Sequence, residues 1–173
     1  MTLAVFPGSF DPVTNGHLSI VERASKVFDQ VIVALGVNPL KPGWLPQNVR
    51  ERVLREAVSE QLPNANVQVL SFEGLLADLL KELEADAVVK GVRGSADLQG
   101  EAVQAQVNFD LCGVDTFLLP SRGNSSYVSS SLVRELAMSG GPISAYVPPA
   151  VVRTLSGPDS PLTDTSIPRS QDA

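Results

Sequence analysis

Residues 3–17 read Leu3-Ala4-Val5-Phe6-Pro7-Gly8-Ser9-Phe10-Asp11-Pro12-Val13-Thr14-Asn15-Gly16-His17. The opening apolar run is short and continuous, the pattern of a strand covered on both faces. His17, Ile20, Val21, Ala24 and Phe28 then recur at helical spacing. What lies between is a loop from a strand into a helix, where an α/β sheet presents helix N-terminal amides to anions. Gly8 and Gly16 permit close backbone approach, Ser9 and Thr14 bring hydroxyls, and His17 falls on the first helical turn. The Gly-x-Gly-x-x-Gly fingerprint is absent, and no Gly-Lys-Ser/Thr follows to make a P-loop. As turn chemistry alone, Asp11-Pro12 and Asn15-Gly16 need no function.

Outward from this stretch the same alternation continues. Residues 30–35, 67–70, 87–89 and 115–119 are brief apolar runs that read as strands. Between them Val49, Val53, Ala57 and Val58 mark one helix, and Leu76, Leu79, Leu80 and Leu83 another. Further helices are predicted at about 96–111, 130–138 and 148–155, with Gly140-Gly141-Pro142 stopping the second of these. The order β-α-β-α-β-α-β-α-β predicts an α/β fold: a Rossmann-like, doubly wound, five-stranded parallel sheet with helices on both faces. Residues 1–156 form the single expected domain. Pro, Ser, Thr and Asp dominate 157–173, which reads as a disordered tail.

Composition narrows the chemistry. The 173 residues include 13 Lys+Arg against 19 Asp+Glu, a formal charge of −6. Such a balance disfavours nonspecific binding to nucleic acid or an anionic membrane. One cysteine, Cys112, cannot form an internal disulfide, and there is no Cys/His cluster for a zinc site. No segment approaches the length of a membrane span, and no signal peptide is evident, so the expected location is cytoplasmic. With a single histidine in the chain, any imidazole chemistry must use His17.

Three further segments fall at predicted strand or helix ends. Asn38-Pro39-Leu40-Lys41-Pro42 follows the second strand, and Val89-Lys90-Gly91-Val92-Arg93 closes the fourth. In an acidic chain, Lys90 and Arg93 around a glycine stand out, although carboxylates such as Asp86 or Asp97 could simply neutralise them. Ser125-Ser126-Tyr127-Val128-Ser129-Ser130-Ser131 opens the helix after the fifth strand. One serine there is an ordinary N-cap; three in a row at bare amides suggest a second phosphate cradle.

Together these strings resemble the nucleotidylyltransferase superfamily with its Thr/His-x-Gly-His signature. Pro-Gly-Ser-Phe-Asp-Pro-x-Thr-Asn-Gly-His is similar to the spelling of the phosphopantetheine adenylyltransferase family. The resemblance runs from about residue 2 to 155. It implies reversible transfer of AMP from ATP to 4′-phosphopantetheine, with His17 as catalytic hydrogen-bond donor and Ser9 orienting the incoming phosphate. Lys41 and Lys90 would hold the acceptor, with Leu76 lining its pantetheine pocket. ATP would meet Ser9, Phe10, His17, Gly91, Val92, Arg93, Glu101 and the stretch Ser125, Ser126, Tyr127, Val128, Ser129, Ser130 and Ser131. Mg²⁺ would travel with the ATP, and the family pattern also implies a homohexamer inhibited by coenzyme A.

Departures from the family are specific. Lys90 replaces an Arg, and Pro42 stands where a second Lys is common. After Arg93, Asp97, Glu101, Ala105 and Asn108 match the family, whereas Leu98, Gln99, Gly100 and Val103 do not, which suggests local repacking. Siblings that adenylylate nicotinamide mononucleotide or cytidylylate a phospho-alcohol share the fold and the final Gly-His, but commonly carry His where this chain has Thr14. A noncatalytic nucleotide sensor built on the same cradle is the reading from another class.

Overall fold

In the computed structural model, which describes residues 1–41, 43–123 and 127–163, five strands form one parallel sheet. They are β1 (Leu3–Gly8), β2 (Gln30–Val37), β3 (Val67–Glu73), β4 (Ala87–Val92) and β5 (Asp115–Pro120), in the order β3-β2-β1-β4-β5. The helices are α1 (Asn15–Ala24), α2 (Gln47–Gln61), α3 (Leu76–Glu82), α4 (Ser95–Cys112), α5 (Ser130–Met138) and α6 (Pro149–Leu155). The predicted α/β architecture is therefore the observed one.

Alternation along the strands divides the core. Ala4, Phe6, Val31, Val33, Leu35, Ala87 and Val89 point to one face, where α1, α2, α5 and α6 contribute Val21, Val53, Val133 and Val151. Val5, Ile32, Ala34 and Val88 point to the other, under Leu79 and Leu80 of α3. The strand interiors are buried on both sides, which is why they read as unbroken apolar runs.

All five strands run further than predicted, by one residue in β5 and by two or three in the others. β2 and β3 continue to Val37 and Glu73, pairing Gly36 with Phe72 and Val37 with Glu73. The backbone ladder persists there after burial has fallen away, so hydropathy gives no sign of it.

The chain moves outward from β1 through β2 to β3, then crosses back to β4 on the other side of β1. β1 and β2 stay in register over six residue pairs. β1 and β4 pair only through Ala4–Ala87 and Val5–Val88, then part. A cleft opens where strand order reverses, between Phe6–Gly8 and the end of β4. That is where ligands enter sheets of this kind. Ile20 of α1 packs into the parting: a Cβ on Gly91 would lie 2.9 Å from its Cγ1, so any larger residue there would force Ile20 to shift.

The ordered body extends past residue 156. Asp159 pairs with Arg52 of α2 at 2.6 Å, Ser160 is buried, and Pro161–Thr163 makes a 3₁₀ turn. Residues 157–163 of the predicted tail fall within the described residues. Residues 164–173 lie outside the described residues, as do Pro42, Asn124, Ser125 and Ser126.

Candidate active site

Thr14 caps α1. Its hydroxyl accepts from the His17 backbone N–H at 3.3 Å, and its own N–H donates to His17 Nδ1 at 3.0 Å. This is a capping box in which histidine takes the place usually held by Glu or Gln. The cap has a chemical consequence. Nδ1 accepts a hydrogen bond, so the neutral ring carries its proton on Nε2. Burial, with Arg93 and Lys90 close by, lowers the His17 pKa from 6.5 to about 4. At neutral pH the side chain is an uncharged Nε2–H donor.

Phe10 supports that ring from beneath. It is buried, and its ring meets the imidazole edge-on with centroids 5.2 Å apart. Its φ of +45° places a bulky residue in the left-handed region, which costs about 1–2 kcal/mol. What Phe10 can offer a ligand is its backbone, since its side chain belongs to the core.

A cavity of about 350 Å³ opens above this loop, lined by Ser9, His17, Lys90, Gly91, Arg93 and the first residues of α5, among others. Two of its cations are already engaged. Lys90 Nζ lies 3.0 Å from Glu101 Oε2, and Arg93 Nε donates to Asp97 Oδ2 at 2.7 Å. The hydrogen bonds from Arg93 hold the Asp97 carboxyl below the usual range. The neutralising role allowed from sequence is thus observed for Asp97; Asp86 instead accepts from the Leu3 backbone N–H at 2.6 Å. Val92 pairs with Pro120 in the ladder and does not line the cavity.

Both carboxylates come from α4, and their placement explains the mixed match to the family pattern. Asp97, Glu101, Ala105, Asn108 and Cys112 are the partly buried positions, spaced three or four apart as one inward stripe. Leu98, Gln99, Gly100 and Val103 are all exposed, and a Cβ on Gly100 would meet nothing. The repacking expected at these positions does not occur, because they face away from the body.

The serines of α5 are more structural than their spacing suggests. Ser129 is the N-cap, accepting from Leu132 N–H at 3.0 Å. Ser130 Oγ donates to Pro12 O at 2.8 Å, and Ser131 Oγ accepts from Arg134 Nη2 at 3.0 Å. Each hydroxyl has a protein partner, so the helix-end amides are left as the more available anion donors. Val128 is buried against the core and Tyr127 is exposed, its ring 6.2 Å from that of Tyr146. Arg134 also donates to Asp11 O at 2.6 Å, tying α5 to the β1–α1 loop.

A second cavity of about 460 Å³ adjoins the first, with Ser9 and Arg134 lining both. Lys41, Asn38, Trp44 and Arg50 complete much of its wall. Asp11 anchors that wall: its carboxylate accepts from the backbone N–H groups of Trp44 at 2.6 Å and Leu45 at 2.8 Å. Leu76 lines neither cavity; it packs on the smaller core, beside exposed Leu75.

Arg50, Arg134 and Asp11 were not assigned a site role from sequence. Arg50 carries a signal: it shares the buried face of α2 with Val49, Val53 and Leu54, where a cation is out of place. Asp11 and Arg134 carry none, since turns and helices hold such residues routinely.

Residues 5–136 match the model of the cytidylyltransferase-like family. A phosphopantetheine adenylyltransferase of Nocardioides sp. is 50% identical over 151 residues, covering 87% of this chain and 93% of the relative. Another from Streptomyces coelicolor is 44% identical over 156 residues, covering 90% and 96%. Among solved structures, a putative nicotinate-nucleotide adenylyltransferase from Vibrio parahaemolyticus superposes with a TM-score of 0.73. It covers 94% of this chain and 97% of its own at 22% identity, a likeness of fold alone. With the strand-to-helix loop, the cation-lined cleft and half the residues shared, the chain belongs to the phosphopantetheine adenylyltransferase family of nucleotidyltransferases, enzymes of coenzyme A biosynthesis.

Proposed function

We propose that the chain transfers the adenylyl group of ATP to 4′-phosphopantetheine, reversibly, with His17 as the main donor to the transition state. An oxygen of the acceptor phosphate attacks the α-phosphorus, the bond to the α,β-bridging oxygen breaks, and pyrophosphate departs. No side chain need act as nucleophile, so catalysis consists of in-line positioning and stabilisation of charge on equatorial oxygens. The carrying observation is the capping box, which puts the proton on Nε2 of a cavity-lining imidazole that burial and the nearby cations keep neutral.

Arg93 and the α5 amides hold the ATP phosphates, and Ser9, Lys41 and Lys90 hold the acceptor at the junction of the two cavities. Gly91 lets the phosphates approach the backbone. Glu101 changes partner, from Lys90 to a ribose hydroxyl or adenine edge. Ser125, Ser126 and Tyr127 are assigned to ATP binding, and Leu76 to the pantetheine end of the acceptor. Mg²⁺ bound to ATP would neutralise phosphate charge. Such an ion would be held mainly by phosphates and water rather than by a protein cage. The reaction runs in the cytoplasm, coenzyme A acts as a feedback inhibitor, and the enzyme works as a homohexamer. Among the described residues no helix is long and apolar enough to cross a membrane.

Pyrophosphate release from ATP and Mg²⁺, with each acceptor supplied in turn, tests the assignment. Turnover is expected with phosphopantetheine and not with nicotinamide mononucleotide or a phospho-alcohol. Turnover with another acceptor alone identifies a sibling; ATP binding without any turnover identifies a sensor. His17→Ala should lower kcat by about 10²–10³, the cost of losing one transition-state donor, with ATP affinity much less affected. Equal losses in rate and affinity would make His17 an anchor only.

A further inference from the structure

Arg50 is a buried cation with an incomplete set of partners. It is 7% exposed on α2, and among the described residues no carboxylate lies within ion-pairing distance. Its Nε is buried without a hydrogen-bond partner. The nearby carboxylate of Asp11 is committed to the amides of Trp44 and Leu45. Burying a guanidinium in this way is unfavourable unless the arrangement accomplishes something else.

Among the described residues, the hydrogen bond of the Arg50 guanidinium runs from Nη1 to Ser9 O, at 3.0 Å. That carbonyl belongs to the Ser9–Phe10 peptide, whose orientation sets φ of Phe10. Phe10 is one of two non-glycine residues with positive φ among those described. Its ring in turn abuts His17, and a Cβ on Gly8 would lie 3.0 Å from its Cζ, so ring and loop interlock. A physical chain therefore leads from Arg50 to the peptide plane, to Phe10 and to the imidazole.

From this chain of contacts we infer that Arg50 is a positioning residue for adenylyl transfer, holding Phe10 in its left-handed conformation and so fixing the His17 ring. This rests on the catalytic role proposed for His17. Arginine suits the task because its planar fork can span from α2 to the loop and hold a carbonyl in a fixed direction. Lysine keeps the charge without the fork, and methionine keeps neither.

Arg50→Lys and Arg50→Met are compared with the wild type in three measurements. The first is kcat and KM for ATP and phosphopantetheine; the second is Tm. The third is the His17 Hε1 NMR signal, unique in a chain with one histidine and sensitive to the ring current of Phe10. Arg50→Met should lower kcat by about 10²-fold and Arg50→Lys by about tenfold, the scale of a misplacement near 1 Å, with KM for ATP within about twofold. In both variants the His17 signal should move without substrate present. A lower Tm with unchanged kcat and an unmoved signal would make Arg50 a structural brace and overturn the inference. Should Arg50→Met not fold, Arg50→Lys with wild-type kcat and signal overturns it equally. If the wild type fails to turn over phosphopantetheine, the proposed function fails, and the NMR signal still decides whether Arg50 positions His17.

Discussion

At the residue scale, the lone histidine concentrates the mechanism in one titration. The folded state holds His17 near pKa 4 and the unfolded chain near 6.5. The unfolded state therefore binds more protons between those values. Stability from this group is complete above pH 6.5 and lost as the pH falls toward 4. Following the single imidazole signal of tag-free protein should give a midpoint near 4, and a midpoint near 6.5 would contradict the buried, cation-flanked setting. Urea midpoints at pH 7 and pH 4.5 should fall further for wild type than for His17→Gln, which lacks the titrating group. The sequence made the importance of His17 legible by exclusion, since nothing else in the chain offers an imidazole. It could not disclose the tautomer, which follows from Thr14 turning its backbone N–H onto Nδ1. Nor could it disclose Arg50, whose role depends on contacts made 41 residues away in sequence.

At the scale of elements, the site exists because two strands part. β1 and β4 share only two paired positions, and α1 seats Ile20 in the opening against Gly91. Gly91→Ala places a methyl group 2.9 Å from Ile20 Cγ1, and Ile20 is itself buried. Overpacking of this kind costs about 1–3 kcal/mol. Urea denaturation should show that loss with an unchanged m-value; a wild-type midpoint would mean that Ile20 moves aside freely. Strand and helix order was legible because burial on both faces leaves continuous apolar runs and amphipathic helices between them. α4 shows where that reading gives out. Its inward stripe begins with Asp97 and Glu101, while Leu98, Val103, Val107 and Leu111 lie outward. Hydrophobicity points the wrong way on this helix, and the inner face is recognisable only from the carboxylates that Lys90 and Arg93 require.

At the scale of the whole molecule, the same inversion bears on association. The charge of −6 sets an acidic body against two polyanionic substrates, so cations must be gathered locally. Lys41, Lys90, Arg50, Arg93 and Arg134 do gather around the two adjoining cavities. The helix supplying the counter-charges of Lys90 and Arg93 has no buried residue, and Val103 is 66% exposed. Phe109 of the same helix and Phe117 of edge strand β5 are exposed as well. Val103 and Val107, four residues apart on α4, are exposed together, and exposed apolar side chains of this kind are what an interface between copies would cover. If copies of the chain cover it, replacing Val103 and Val107 together by Glu should break the assembly while costing the isolated fold little, because both side chains already face outward. Sedimentation should give six copies of the 18.3 kDa chain for wild type and a smaller species for the double variant. Wild type sedimenting as a single 18.3 kDa chain would leave α4 without a partner copy. A variant that stays hexameric would move the interface elsewhere. Because α4 also carries Asp97 and Glu101, dissociation should lower kcat as well as mass, which ties the state of assembly to the charge balance of the site.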